Sequence, residues 1–205
     1  MNKQHKIISI IIIILLVIIG VYGYINYKNE MENNEFKEIL KNASDIENIT
    51  DKSYTEMYSG KSIRIDEYLT FTKSNVENTS KELDILIKFK NKTSNQTQKE
   101  FLEMQIKRLE KENIEHKDNL DIGEQCKRYL NGEITANKYN EILEKSTKNH
   151  EQINDEISKI KEDTMVFIDN HPDLKSVLEE IGVDEDFYLN EKGGTSGDGR
   201  VYFTK

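Results

Sequence analysis

Apolar positions concentrate in one uninterrupted stretch near the start of the chain. The residues from Ile7 to Ile25 include no charged side chain, and their polar interruptions are Ser9 and the hydroxyls of Tyr22 and Tyr24. At a rise of ~1.5 Å per residue, a helix of this length comes close to spanning a hydrocarbon layer of ~30 Å. The pattern predicts a transmembrane helix over residues 7–27, with the bilayer as its partner.

The charges on the two sides of this stretch predict its orientation. Lys3 and Lys6 precede it, whereas Glu30 and Glu32 follow soon after it. Basic residues close to a membrane span tend to stay on the cytoplasmic side. We therefore expect residues 1–6 to form a basic cytoplasmic leader. The chain would cross the cell membrane once, and the remainder would lie outside the cytoplasm.

A cleaved secretory signal is the alternative interpretation of the same stretch. A basic leader, an apolar segment and the small-residue site Val21-Tyr22-Gly23 are compatible with one. The apolar segment is longer than the ~7–15 residues usual for a signal, which favours a retained anchor. If the segment is removed, the product is a secreted helical protein that begins near Tyr24.

After this segment, apolar positions recur every three or four residues, which is typical of amphipathic helices. The first helix should continue the anchor and end near Tyr58, before Ser59-Gly60. The second should begin at a Ser62 cap, and its apolar stripe is weak from Thr72 to Ser80. The third should begin at the Thr97–Glu100 capping box. The stripe residues are Phe36, Ile39, Leu40, Ala43, Ile46 and Ile49; then Ile65, Tyr68, Leu69, Thr72, Val76, Thr79, Leu83, Leu86 and Ile87; then Phe101, Leu102, Gln105, Ile106, Leu109, His116 and Leu120.

Glycine, threonine and proline predict where the later helices begin and end. Gly123 is expected to bend the third helix, Gly132 to end it, and Thr135 to cap the fourth. Pro172 suits the first position of a short helix that ends at Gly182. The fourth helix carries a heptad pattern, typical of a loose coiled coil or of one side of a bundle. Its repeating positions are Tyr139, Leu143, Ser146, His150, Ile153, Ile157, Ile160, Thr164 and Phe167.

The connections between these helices are short, which places successive helices antiparallel. The sequence therefore predicts an all-α fold: a transmembrane helix, then an antiparallel helical bundle or coiled-coil domain over residues 28–182. A Gly-rich tail follows over residues 183–205. In that tail, two β-prone segments, Asp186–Leu189 and Arg200–Phe203, flank the glycines. They predict either a β-hairpin with a long loop or a flexible end.

Composition and charge exclude some classes of partner. The chain has 205 residues and a net charge of −9, with acidic and basic residues interspersed. Nucleic-acid binding is not expected, because it requires a basic face. Cys126 is the single cysteine, so no intrachain disulfide can form. We expect its side chain to be a small buried apolar group.

The sequence contains no complete catalytic or metal-binding motif. His150-Glu151 resembles the first half of a zinc motif, but Asn154 stands where the second histidine is needed. The Gly193–Gly199 loop lacks the Lys-Ser/Thr pair of a phosphate-binding loop. Acidic residues four positions before a lysine, such as Glu141 before Lys145, indicate solvated helix faces. No enzyme activity, cofactor or metal is therefore expected.

These patterns favour a membrane-anchored accessory protein that acts by contact with a protein partner or with itself. The candidate contact residues are Tyr139, Leu143, Ile153, Ile157 and Ile160. The same residues would also fill the core of the chain's own bundle, which is the more ordinary role of apolar residues at this spacing. The alternative is a ligand-sensing module that resembles the helical sensor modules of membrane receptors. It would signal through a separate partner, because the chain carries neither a second span nor an output domain.

Overall fold

A computed structural model of the chain describes the backbone of residues 3–57, 63–182 and 203–204, and the side chains of 14–50, 52 and 63–182. Within these residues the fold is helical, which confirms the all-α prediction. The elements are α1 (Lys3–Met57), β1 (Ile63–Arg64), α2 (Ile65–Lys92), α3 (Gln96–Leu130), α4 (Ala136–Asp169), α5 (Pro172–Glu180) and β2 (Phe203–Thr204).

The chain divides into two compact units, Met1–Glu38 and Ile39–Lys205. Helix α1 is continuous from Lys3 to Met57, as the absence of a helix breaker predicted. Among the residues that the structure describes, no helix has an apolar stretch long enough to cross a membrane. The side chains of residues 7–13, the first part of the predicted anchor, lie outside the described set.

Helices α2 and α3 form an antiparallel pair joined by a three-residue connection. Cross-helix contacts fix their register: Lys127 Nζ lies 2.8 Å from Asp66 Oδ1, and Tyr68 Oη donates to the Asn119 carbonyl at 3.4 Å. The predicted start of α3 at Thr97 was wrong. Asn95 caps the helix instead, because its Oδ1 accepts the backbone N–H of Gln98 at 3.2 Å. Ser62, the predicted cap of α2, lies outside the described residues.

Gly123 allows α2 and α3 to approach closely and does not end α3, which continues to Leu130. A Cβ placed on Gly123 would lie 2.8 Å from both Leu69 Cδ2 and Tyr68 Cε1. That separation is well below an ordinary van der Waals contact. The glycine therefore allows α2 and α3 to pack closely at this position.

The predicted end of α3, the predicted start of α4 and both predicted termini of α5 are confirmed. Gly132 has φ +76°, a left-handed conformation that favours glycine after a helix. Thr135 Oγ1 accepts the backbone N–H of Lys138 at 3.3 Å and so caps α4. Pro172 begins α5, and Gly182 follows its end with φ +64°.

The end of the chain pairs with the segment that precedes α2. Strand β2 lies parallel to β1, with Phe203 opposite Ile63 and Thr204 opposite Arg64. One of the two alternatives predicted for the tail pairs Arg200–Phe203 with Asp186–Leu189 in a hairpin, but the latter segment lies outside the described residues. The observed partner of β2 is β1, which directly precedes α2. No local turn signal could have indicated a pairing between segments so far apart in the sequence.

The interior of the unit Ile39–Lys205 has apolar groups at both ends of the α2–α3 pair and a polar middle. Residues near the α2–α3 connection are buried and apolar: Leu83, Leu86, Phe89, Phe101, Leu102, Ile106 and Leu109. A second apolar cluster at the opposite end comprises Ile63, Ile65, Tyr68 and Cys126. This confirms that Cys126 is buried.

Candidate functional site: a buried polar layer

The most unusual feature of the bundle is a layer of buried polar side chains between its two apolar ends. Each helix contributes residues spaced three or four apart, which places them on one helix face. This spacing explains why the apolar stripe of α2 is weak from Thr72 to Ser80. The polar layer comprises Glu47 and Thr50 of α1; Thr72, Asn75, Thr79 and Glu82 of α2; and Gln105, Arg108, His116 and Asn119 of α3, together with the half-buried Glu112 and Asn113 of the same helix.

Arg108 lies at the centre of the charged part of the polar layer, with its side chain 1% exposed. Its guanidinium binds Glu47 in a bidentate manner, with Nη1 donating to Oε1 at 2.8 Å and Nη2 donating to Oε2 at 3.1 Å. Nη1 also donates to Glu112 Oε1 at 2.8 Å, and Nε donates to Gln105 Oε1 at 3.2 Å. The planar fork of arginine suits such paired oxygens, which a lysine could not match.

Acidic residues outnumber the single cation in the charged part of the layer. Burial alone would lower the pKa of Arg108, but the carboxylates of Glu112, Glu47 and Glu82 raise it above its ordinary value. The arginine therefore stays charged, and three helices contribute carboxylates around it. Since Glu47 belongs to α1, this ion pair ties the second half of α1 to the α2–α3 pair.

The other part of the polar layer contains amides and one histidine. Burial lowers the pKa of His116, although the Glu112 carboxylate opposes the shift, so the neutral imidazole is favoured. Asn75 has an exposed fraction of 1%, and neither its Oδ1 nor its Nδ2 has a hydrogen-bond partner. Asn113 Oδ1 and Gln105 Nε2 are likewise buried without a hydrogen bond.

A second polar cluster lies between α3 and α4. Ser146 Oγ donates to Asp118 Oδ2, and His150 Nε2 lies 2.9 Å from the same oxygen. Burial raises the pKa of the nearby Glu115, and His150 acts in the opposite direction. This is not a catalytic triad, because Ser146 is hydrogen-bonded to the carboxylate and not to the imidazole that would have to remove its proton.

The predicted contact residues on α4 contribute to the packing of their own chain. Ile153 and Ile157 are buried, whereas Tyr139, Leu143 and Ile160 are half-buried. The Tyr139 ring also stacks on Tyr129, with centroids 5.3 Å apart. This burial agrees with the interpretation that these residues fill a core. Their role in binding a partner stays a prediction.

Sequence reasoning missed the charged part of the polar layer. Ile49 was placed on the buried stripe of α1, but its side chain is 59% exposed, and Glu47 is buried instead. Burial of Arg108 and its pairing with Glu112 were not predicted, although both residues continue the three-and-four spacing of Phe101 and Gln105. That spacing was the available signal, but charged residues at such positions are ordinarily solvent-facing.

Within the described residues, no group of three or more His, Cys, Asp or Glu side chains is arranged to hold a metal ion. No protein family, curated protein or solved structure with which the chain was compared matches it. The candidate site is therefore defined by its own geometry: a saturated ion-pair network beside unsatisfied amides.

Proposed function

We propose that this chain is a single-pass membrane protein whose helical body lies outside the cytoplasm and acts by contact with a protein partner. The observation that carries the proposal is the exposed apolar segment of α1. From Ile14 to Ile25 its large apolar side chains, such as Leu16, Ile19 and Val21, are 48–68% exposed. Proteins in water rarely expose so large a contiguous apolar surface.

The distribution of these side chains supports insertion into lipid rather than docking on a groove. Apolar residues surround α1 on all sides in this segment, whereas a docking helix has one apolar face. A helix that is apolar all round requires an apolar environment on every side. The residues before Ile14 extend the same composition back to Ile7.

The body has features of a structural or binding module rather than of an enzyme. Its buried arginine is fully engaged by Glu47, Glu112 and Gln105, so it offers no cation to a reacting group. Ser146 donates its hydrogen bond to the Asp118 carboxylate and not to an imidazole. These contacts support a rigid body that presents surfaces, and contact with a partner is the simplest use of such a body.

Site-specific labelling tests the proposed topology. Because Cys126 is the only cysteine, Cys126→Ala provides a background without thiols. Two reporters are then added singly: Lys138→Cys on an exposed position of α4 and Asn2→Cys in the leader. In intact cells, a membrane-impermeant maleimide should label the Lys138→Cys variant. The Asn2→Cys variant should be labelled only after lysis.

Three results would contradict this topology. Labelling of the Asn2→Cys variant but not of the Lys138→Cys variant in intact cells would reverse the orientation. A mature N-terminus near Tyr24 would show that the segment is a cleaved signal and that the body is secreted. Release of the chain from membranes at alkaline pH would argue against a spanning helix.

Ligand sensing is the second candidate function, and the unpartnered amides of the polar layer favour it. Purification from solubilised membranes separates the two candidates. A partner recovered in fixed stoichiometry supports the contact role, whereas an isolated chain stabilised by a small molecule supports sensing.

A further inference from the structure

The two halves of α4 are attached to α3 by different kinds of contact. The buried apolar residues of α4 all lie in its second half: Ile153, Ile157 and Ile168. The buried residue of the first half, residues 136–150, is Ser146, whose hydroxyl donates to the Asp118 carboxylate. Burial of apolar area does not depend on pH, whereas a contact between titrating groups does. The first half of α4 is therefore the part whose attachment can respond to protonation.

Charged groups of both helices meet at this polar contact. His150 Nε2 of α4 lies 2.9 Å from Asp118 Oδ2 of α3. The two atoms are not aligned as a hydrogen bond, so their attraction depends on the charge of the imidazole. Glu115 of α3 also faces this imidazole, and a positive charge there offsets part of the cost of burying the Glu115 carboxylate. The other charged groups that act on Glu115, besides Asp118, are Glu112 and Lys161.

We propose that protonation of His150 holds the first half of α4 on α3, and that this half detaches as pH rises through neutrality. At low pH a charged imidazole lies beside Asp118 and Glu115 and attracts both carboxylates. An imidazole ordinarily loses its charge between pH 5 and 8. At the upper end of this range the two carboxylates of α3 face no cation from the first half of α4.

The second titrating group acts in the same direction. Burial raises the pKa of Glu115, so this carboxyl gains its charge at a higher pH than an exposed one, as the imidazole loses its own. Both changes weaken the contact as pH rises. The ion pair Lys111–Glu156 joins α3 to the second half of α4, and lysine and glutamate in such a pair keep their charges between pH 5.5 and 7.5. The second half should therefore stay attached.

Hydrogen exchange of the full chain in detergent micelles tests the proposal without a substitution. Exchange rates are measured at pH 5.5 and 7.5 and corrected for the intrinsic rate at each pH. At pH 7.5 the amides of residues 140–150 should lose protection about fivefold relative to those of residues 153–168. Because unfolding of the whole body exposes both halves, the ratio reports local detachment. A ratio that does not change with pH would overturn the proposal.

Cys126 provides a second reporter, because Tyr139 of the first half packs against it. The rate at which a thiol reagent labels this single cysteine should rise when the first half detaches. Variants are compared at the same pH, which cancels the pH dependence of the thiol itself. His150→Gln should be labelled about fivefold faster than the unchanged chain at pH 5.5 and equally fast at pH 7.5.

Two further comparisons separate charge from packing. His171→Gln replaces another half-buried histidine, just beyond the end of α4, and should leave labelling of Cys126 unchanged at both pH values. In a chain that carries both Glu115→Gln and Asp118→Asn, His150→Gln should have no further effect at pH 5.5. Equal acceleration by His150→Gln at both pH values would mean that the imidazole acts by packing alone, and would overturn the proposal. The contact lies within the helical body, so neither result bears on the proposed topology.

Discussion

Arg108 shows how a single side chain can connect three helices that are distant in sequence. Its partner Glu47 is 61 residues away, and a charged side chain on a helix face is normally solvated. The sequence indicated where α1 and α3 run, but not that these two charges meet. Such a pair depends on the approach of helices, which local spacing does not encode.

Replacing the arginine should destabilise the fold strongly. Arg108→Met leaves the carboxylates of Glu47 and Glu112 buried without a cation, and we expect a loss of about 3–5 kcal/mol in the free energy of unfolding. Urea unfolding followed by circular dichroism measures it.

An exposed ion pair provides the control for this prediction. Lys127 pairs with Asp66 at the surface, so Lys127→Met should change the urea midpoint far less. Equal effects of the two substitutions would show that Arg108 is not the essential cation of the polar layer.

The buried His116 should make stability depend on pH. Because burial lowers the pKa of His116 below 6.5, the unfolded chain binds the proton first as pH falls. The stability that the neutral His116 contributes is fully present above about pH 6.5 and is lost as pH falls towards the lowered pKa. Urea midpoints measured at pH 7.5 and 5.5 should therefore differ less in His116→Gln than in the unchanged chain.

Glu115 contributes to pH dependence with the opposite sign. Burial raises the pKa of Glu115 above 4.5, so its contribution is present below that pH and is lost as pH rises through the folded-state value. Glu115→Gln should consequently stabilise the fold at pH 7.5 and have little effect at pH 4. If instead Glu115→Gln destabilises the fold at pH 7.5, its charged form makes favourable contacts that outweigh burial.

At the scale of elements, the sequence predicted where helices begin and end, but it did not predict the contacts between helices. Gly132, Thr135 and Pro172 act on the backbone next to them, so their roles followed from the sequence. The role of Gly123 depends on Tyr68 and Leu69 of another helix. The same limit applies to β2, whose partner β1 is distant in sequence.

Adding a methyl group at Gly123 should push α2 and α3 apart. Gly123→Ala places a Cβ 2.8 Å from Leu69 Cδ2, and overpacking of this kind costs about 1–3 kcal/mol. The higher helix propensity of alanine offsets part of this cost, by up to about 1 kcal/mol. Thermal unfolding measures the balance, and we expect a lower Tm.

Gly20 provides a matched control because a Cβ there would meet nothing within 4 Å. Gly20→Ala should leave the Tm of the body unchanged. A Gly123→Ala variant as stable as the unchanged chain would mean that α2 and α3 can move apart without loss of stability.

At the scale of the whole molecule, the chain combines an exposed apolar segment with a polar helical body. The sequence predicted this contrast, because apolar and charged residues segregate along the chain rather than around one helix. What it could not predict was the polar layer inside the body, since buried and exposed polar residues have the same spacing. The layer, its amides and its ion pair emerge only when the helices are assembled.

The contrast between the two parts predicts that they can be separated. A chain that begins at Met31 lacks the exposed apolar residues Ile14–Ile25 and keeps the unit Ile39–Lys205, which contains the polar layer and both apolar clusters. We expect this shorter chain to be recovered without detergent and to unfold cooperatively in urea. The full chain should require detergent under the same conditions.

The Arg108→Met substitution should cost the shorter chain as much stability as it costs the full chain, because the contacts of Arg108 lie within the retained unit. If the shorter chain instead unfolds without a cooperative transition, the apolar segment of α1 contributes to folding the body as well as to its location.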